Sequence, residues 1–394
     1  MHKLSYTFVI FAMLFMSSCE EQKSKENYSL SSPDEKNTVT FSLTEAGKPT
    51  YTIAHDGVVV VDTSAMGFDL KDLDALSEDF EIIKTETSTA DETWQMPWGE
   101  QLEVRNHYNE LIIYLQETSE NKRKLNIHFK AYNDGIGFRY EFPEQENLDE
   151  FIIADENTEF NLTGDHKTWW IPGDWDIYEH LYSETNFSEI DALAKANNPD
   201  LNASYIPENA VNTPVTMKTA EGLYLSFHEA DLTDYAGMTL KVNQSEHKMI
   251  SELVGSERLG GKAQIKAPFN TPWRTIQIAD RAGDLIESKM ILNLNDPNEL
   301  GDVDYFTPMK YVGIWWEMHI GKSTWDMEGT QDMNTFTVGE KGSSQHGATT
   351  ANAKKYIDFA SENGIKGLLV EGWNTGWDKW TNTDDREGVF DFIT

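Results

Sequence analysis

The sequence predicts a mainly β protein: a large antiparallel β-sandwich followed by the opening strands of a (β/α)8 barrel. Three observations predict it. Between about residues 36 and 295, short runs alternate apolar and polar residues and are separated by Gly, Pro, Asn and Asp, as half-buried antiparallel strands are. Near the end, Tyr311–Glu317 and Gly367–Asn374 are continuous apolar runs that finish in aromatics and an acid, the pattern of parallel strands buried on both faces. Between them, Thr350–Asn363 carries Ala353, Tyr356, Ile357 and Ala360 on one helical face with Gly364 as its stop. Strand, helix and strand in that order make a right-handed crossover unit.

In chain order, residues 1–19 read as a lipoprotein signal peptide. His2 and Lys3 precede the apolar run Leu4–Met16, which is too short to span a bilayer, and Ser17-Ser18-Cys19 follows. Small residues before a cysteine resemble a lipobox, so Cys19 is the expected lipidation site. Glu20 and Glu21 resemble the acidic export signals of surface lipoproteins. Cys19 is the only cysteine, so no disulfide within the chain is expected, and stability rests on packing. Residues 20–35 are polar and read as a tether. Strands are expected at Thr38–Leu43, Tyr51–Ile53, Val58–Val61, Glu110–Leu115, Leu125–Ala131, Ile136–Phe142, Thr216–Lys218, Leu223–Phe227, Met238–Val242 and Trp273–Ile278. Asp56-Gly57 and Asn133-Asp134-Gly135 supply tight hairpin turns. Ser188–Ala196 reads as a short helix or helical loop. Residues 296–310 form a linker, and 311–394 begin the barrel.

Composition narrows the function. The chain has 394 residues, 39% hydrophobic and 12% aromatic, with 12 Trp and 15 Tyr. That is ample core material, and aromatic faces also stack on pyranose rings. Net charge is −35, from 67 acids against 32 bases, so nucleic acid and anionic lipid surfaces are excluded as partners. Membrane contact is expected only through the lipid anchor, which places the protein in the outer membrane or periplasm, as a monomer.

Candidate chemistry lies in three places. Trp169–Glu179 wraps a Pro-Gly turn with Asp174, Asp176 and Glu179, hard oxygen donors suited to Ca²⁺. Glu92–Leu111 is dense in hydrogen-bonding groups, and Arg105, Asn106 and Asn109 are expected to pair across a domain interface; His107 is expected to be a satisfied interior histidine. Trp315, Trp316, Glu371, Trp373 and Asn374 fall where the two barrel strands emerge, the end that carries the active site in such barrels. Glycoside hydrolysis needs two carboxyl groups, roughly 5–9.5 Å apart, and two strands assign no such pair.

Several stretches together resemble glycoside hydrolase family 97, most closely its α-glucosidase branch in bacterial starch utilisation. They are Thr93–Gln95 with Trp98–Glu100, Arg105–Leu111, Gly137–Pro143, Trp170–Asp174, Asn270–Arg274, Gly313–Trp316 and Val370–Asn374. The resemblance implies an N-terminal β-super-sandwich of the galactose mutarotase-like type, then a (β/α)8 barrel and a small C-terminal β-domain. It implies a Ca²⁺ ion to which the sandwich lends one glutamate, here Glu179. It implies sugar contacts by Trp315, Glu371 and, through the loop at Pro199–Leu201, Asp200. It assigns the catalytic acid and base to later barrel strands, so a barrel that typically takes about 250 residues is expected to be incomplete and inactive in this chain alone. Malto-oligosaccharides are the expected substrates, with α-galactosides also open. The alternative is a surface glycan-binding lipoprotein module without hydrolysis.

Overall fold

The computed structural model describes residues 27–197, 203–322, 347 and 350–371. It divides into two compact units, with the boundary between Asn298 and Glu299. Among the described residues no helix is long and apolar enough to cross a membrane.

The first unit is an antiparallel sandwich. One sheet has eight strands in the order Asn27–Ser31, Asn37–Leu43, Pro49–His55, Val58–Ala65, Glu159–Leu162, Lys248–Leu253, Met238–Asn243 and Ala210–Asn212. The larger, ten-stranded sheet runs from Ser183–Asn186 through Lys167–Trp170, Val215–Lys218, Tyr224–Ala230, Trp273–Ala279, Gly135–Phe142, Lys124–Tyr132 and Glu103–Glu117 to Phe80–Gln95, with Phe269–Asn270 beside Gly135–Phe142. A three-stranded sheet of Ala263–Lys266, Glu150–Glu156 and Phe68–Leu70 flanks them. Alternation sends one residue in two inward, and aromatic rings from facing strands meet there. Tyr51 lies 4.9 Å from Phe138, Phe160 lies 5.5 Å from Phe227, and Phe68 lies 4.6 Å from Tyr140 between ring centroids.

All the expected sandwich strands form, several longer than expected, whereas of the run Tyr311–Glu317 only Tyr311–Gly313 is strand and Trp316–His319 is helical. The hairpin of Phe80–Gln95 with Glu103–Glu117 was legible only at Glu110–Leu115. Its first strand is mostly exposed, so hydrophobic alternation there is faint; cross-strand polar pairs hold it instead. Arg105 makes a two-pronged bond to Asp91 at 2.7 and 2.8 Å, and Thr89 donates to Asn109 at 2.8 Å. Arg105, Asn106 and Asn109 each have a partner inside the sandwich. Asn106 donates to Glu92, and Asn109 donates to the Ser31 carbonyl. His107 is half-buried on the same strand. Asn27–Ser31, inside the stretch read as a tether, pairs in register with Ser42–Thr38. At the second hairpin, Tyr132 pairs with Gly135, so the positive φ (153°) falls on Gly135 rather than on Asp134.

The strand Gly135–Phe142 is almost wholly buried because something covers its outer face as well. The helix Met290–Leu294 packs there with Trp273 and Tyr132. A Cβ at Gly137 would stand 2.8 Å from Leu294 Cδ1, so glycine makes that approach possible.

Under this sheet lies a fully buried charge cluster. Arg274 Nε and Nη2 donate to Glu156 at 2.8 and 2.6 Å, and Nη1 donates to Glu229 at 2.8 Å. Tyr235 and Thr158 hydroxyls also donate to Glu156, and the Met238 amide donates to Glu229. Burial raises the Glu156 carboxyl, but the Arg274 charge outweighs it and holds that carboxyl below its ordinary range; burial dominates at Glu229, which is pushed up.

In the second unit, Tyr311–Gly313 and Gly367–Leu369 pair in parallel, with the helix Thr350–Glu362 between them in sequence. Ala353 and Ala360 are buried as expected, and Gly364 stops the helix at φ 66°. Ile357 is not on the packed face: it is 51% exposed. Strands of three residues each underlie only a narrow stripe of the helix, which Ala353, Tyr356 and Ala360 fill.

Replacing Arg274 by Met is expected to destabilise the sandwich by about 3–5 kcal/mol, since two buried carboxylates lose their counter-charge. Urea unfolding of the variant checks this; a loss no larger than that of a surface Arg281→Met control would contradict it.

Candidate functional site

The best-formed display of side chains starts where the strand Lys167–Trp170 ends. Gly173 threads a narrow gap: its amide donates to the Ala210 carbonyl at 2.8 Å, and a Cβ would stand 2.8 Å from Ile206 Cδ1. Next, Asp174 turns its carboxylate inward as a hub. Oδ1 accepts from the amides of Asp176 (2.8 Å), Ile177 (3.1 Å) and Ser204 (3.2 Å), and Oδ2 accepts from His180 Nε2 at 3.0 Å. Buried Asn212 accepts the Asp174 amide and donates to the Ile177 carbonyl. Burial alone would raise the Asp174 carboxyl, but these donors outweigh it and hold it below the usual carboxylate range.

The hub leaves the rest of the loop facing outward. Trp175, Tyr178, Glu179, Leu181 and Tyr182 are all exposed, and a groove of about 880 Å³ beside them is lined by Trp175, Tyr178, Glu229, Tyr235, Arg258 and Lys262. Of the three carboxylates proposed for Ca²⁺, Asp174 is consumed by the loop itself and Asp176 accepts the Ser204 hydroxyl. Glu179 alone has no hydrogen-bond or ion-pair partner among the described residues. Ca²⁺ takes roughly six to eight oxygens. The free Glu179 carboxylate fits as one of them, and among the described residues no group of three or more His, Cys, Asp or Glu is preassembled around a metal position.

In the second unit, Gly313 pairs with Leu369, so Trp315 and Glu371 each lie two residues beyond a paired position, at the same end of the parallel pair. Trp315 is half-buried, and its ring stacks on His319 at 5.9 Å. Glu371 is exposed. Sequence reasoning gave no role to Asn352, which is buried and donates to Glu317 at 2.8 Å beside a hollow of about 510 Å³ lined by Trp316, Glu317, Lys355 and Tyr356. It also overlooked Asp174 as an anchor, for which the Asp-x-Asp-Ile spacing of a side chain capping its own turn was the available signal. Cys19, Asp200, Trp373 and Asn374 lie outside the described residues.

A β-sandwich is followed in this chain by a parallel strand–helix–strand unit with an aromatic and a carboxylate just beyond its strand ends. The Glycosyl-hydrolase 97 N-terminal model matches residues 30–297 and the Glycoside hydrolase 97 model residues 315–394; the chain belongs to glycoside hydrolase family 97. A retaining alpha-galactosidase from Bacteroides thetaiotaomicron is 24% identical over 93% of this chain and 53% of its own length. A family 97 enzyme from Pseudoalteromonas sp. strain K8, solved in complex with acarbose, is 38% identical with a TM-score of 0.73 over 89% of this chain and 48% of that one. The same enzyme in complex with panose gives 36% and 0.75, over 92% and 51%. The chain thus spans about half the length of the relatives it matches.

Asp174 stabilises its loop while ionised. Its folded pKa is depressed, so this contribution is complete above the unfolded value of about 3.9 and is lost as pH falls through the folded value. Asp174→Ala is expected to remove it at neutral pH, leaving donors unmet at about 1–3 kcal/mol. Limited proteolysis checks this: cleavage within 174–182 should speed up several-fold in Asp174→Ala and stay unchanged in Asp176→Ala.

Proposed function

We propose that this chain forms the sandwich and early barrel of a calcium-dependent, exo-acting glycoside hydrolase that removes terminal glucose from α-linked malto-oligosaccharides. The observation that carries the reading is a difference in likeness. The chain is 36–38% identical to an enzyme seen with acarbose and with panose, against 24% to a retaining alpha-galactosidase. Both bound molecules are built from α-linked, glucose-like rings.

In this reading each side chain has a task that its surroundings allow. Glu179, presented by the Asp174 hub, holds Ca²⁺ through a hard carboxylate oxygen. A Ca²⁺ ion held there would supply Lewis-acid polarisation of the glycosidic oxygen. Trp315 offers a ring face to the sugar and Glu371 accepts hydrogen bonds from its hydroxyls, while a sugar contact by Asp200, which lies outside the described residues, rests on the family resemblance alone. Export and anchoring proceed through Cys19. The protein acts as a monomer at the cell envelope.

The full-length enzyme should turn over maltose at least about tenfold faster than p-nitrophenyl α-galactoside; the reverse order would overturn the glucoside assignment. Glu179→Gln should raise the calcium concentration needed for half-maximal activity at least about tenfold without changing the metal-free melting temperature. The 394 residues alone should show no hydrolysis on either substrate, and robust turnover would contradict the division of catalytic groups proposed here. Separately, Cys19→Ala should abolish palmitate labelling in cells, and labelling that persists would remove the anchor from the account.

A further inference from the structure

An uncharged trough crosses the outer face of the ten-stranded sheet. Neighbouring inner strands build it in register: Trp169 lies opposite Thr216, Thr216 opposite Ser226, and Ser226 opposite Gln277. One step along, Tyr224 stands between Lys218 and Ala279. The chain neighbours Trp170, Leu225, Phe227 and Ile278 belong to the core, so alternation turns this row outward.

The row is large at one end and small in the middle. The rings of Trp169 and Tyr224 lie 6.4 Å apart with their planes within 22° of each other, whereas Thr216 and Ser226 are short and leave room beside them. Across the trough stands the helix Ala282–Glu287, which contributes Leu285 and Ile286, the latter 83% exposed. The hollow measures about 500 Å³, inside the roughly 300–1,000 Å³ typical of small-ligand sites. Its aromatic wall is already set. Trp169 Nε1 donates to Glu184 at 2.9 Å, and the ammonium groups of Lys167 and Lys218 sit 5.4 and 5.1 Å from the centres of the Trp169 and Tyr224 rings.

The floor is polar. The side-chain amide of Gln277 makes no hydrogen bond among the described residues, so both its donors and its carbonyl are open. His228 Nδ1 lies 2.9 Å from the Thr213 hydroxyl, which donates to the Met238 carbonyl at 3.3 Å. Burial holds the His228 imidazole below its ordinary pKa. No Asp, Glu, Lys or Arg lines the hollow, in a chain that carries 67 acids and 32 bases. A charged ligand finds no counter-charge there. The strands beneath are paired on both edges, so a peptide cannot join them as an added strand.

We propose that this trough binds a short neutral oligosaccharide. The C–H face of a pyranose is apolar and slightly positive, and it meets the negative faces of aromatic rings such as Trp169 and Tyr224. Gln277 and His228 meet the sugar hydroxyls, and Leu285 and Ile286 cover the remaining apolar edge. That the rings are α-linked glucose rests on the glucoside reading above; the trough itself does not.

Calorimetry of the 394-residue chain with maltotetraose tests this, and saturable binding is expected. Trp169→Ala should weaken it about tenfold, the worth of one aromatic stacking partner. Thr216→Tyr, facing outward and suited to a strand, should fill the trough and abolish binding without lowering the melting temperature. It carries the test alone if Trp169→Ala folds poorly. Trp315→Ala should leave this affinity unchanged. A full-length enzyme that prefers p-nitrophenyl α-galactoside would remove glucose from the account but not the trough, and an α-galacto-oligosaccharide then becomes the probe for the same variants. No saturable binding of either probe, or full affinity in Thr216→Tyr, would overturn the site. Binding by the 394 residues that vanishes in the full-length protein would overturn it as well, because downstream residues would then be what covers this face.

Discussion

The Arg274 guanidinium is the constraint on which the sandwich depends. It lies on the ten-stranded sheet, and its two partners reach into the other layers. Glu156 ends a strand of the three-stranded sheet, and Glu229 accepts the amide of Met238 at the start of a strand in the eight-stranded sheet. One side chain with five donors in a rigid fork thus sets the relative positions of three sheets. Apolar burial drives the layers together but tolerates sliding; a two-pronged ion pair without water does not. The hydroxyls of Tyr235 and Thr158 fill the remaining acceptor sites on Glu156, so the cluster is satisfied as well as charged.

From that frame the local geometry follows. The strand Lys167–Trp170 pairs with Val215–Lys218 and delivers Gly173 and Asp174 into a gap bordered by Ala210–Asn212. A loop that would otherwise be loose is gathered around one buried carboxylate, and its aromatics and Glu179 face outward. The active-site reading needs this division of labour, because a side chain that reaches for substrate or metal has to be held by residues that do neither.

How much of this was legible in the sequence varies with the physics behind each part. Strands that alternate apolar and polar residues were plain, since period two is written in residue type: Leu125–Ala131 and Ile136–Phe142 both form, the second although a helix covers its outer face too. The helix Thr350–Glu362 was equally plain through its alanines and Gly364. The long hairpin after Phe80 was not, because Arg105–Asp91 and Thr89–Asn109 pairs leave no hydrophobic period. The Arg274 cluster was invisible for a different reason: Glu156, Glu229 and Arg274 are more than forty residues apart in sequence, and nothing local announces a contact of that range. At the site, residue types located the 169–179 loop, but three acids in a row of eleven residues look alike. Only the hydrogen-bond directions separate Asp174, which organises the chain, from Glu179, which is left free.

The Asp174 hub also makes the loop modular. Scaffold and display are carried by different residues: Gly173, Asp174, His180 and Asn212 hold the backbone, while the side chains of Trp175, Tyr178 and Glu179 are exposed. Substitution at the outward positions can therefore leave the architecture underneath undisturbed.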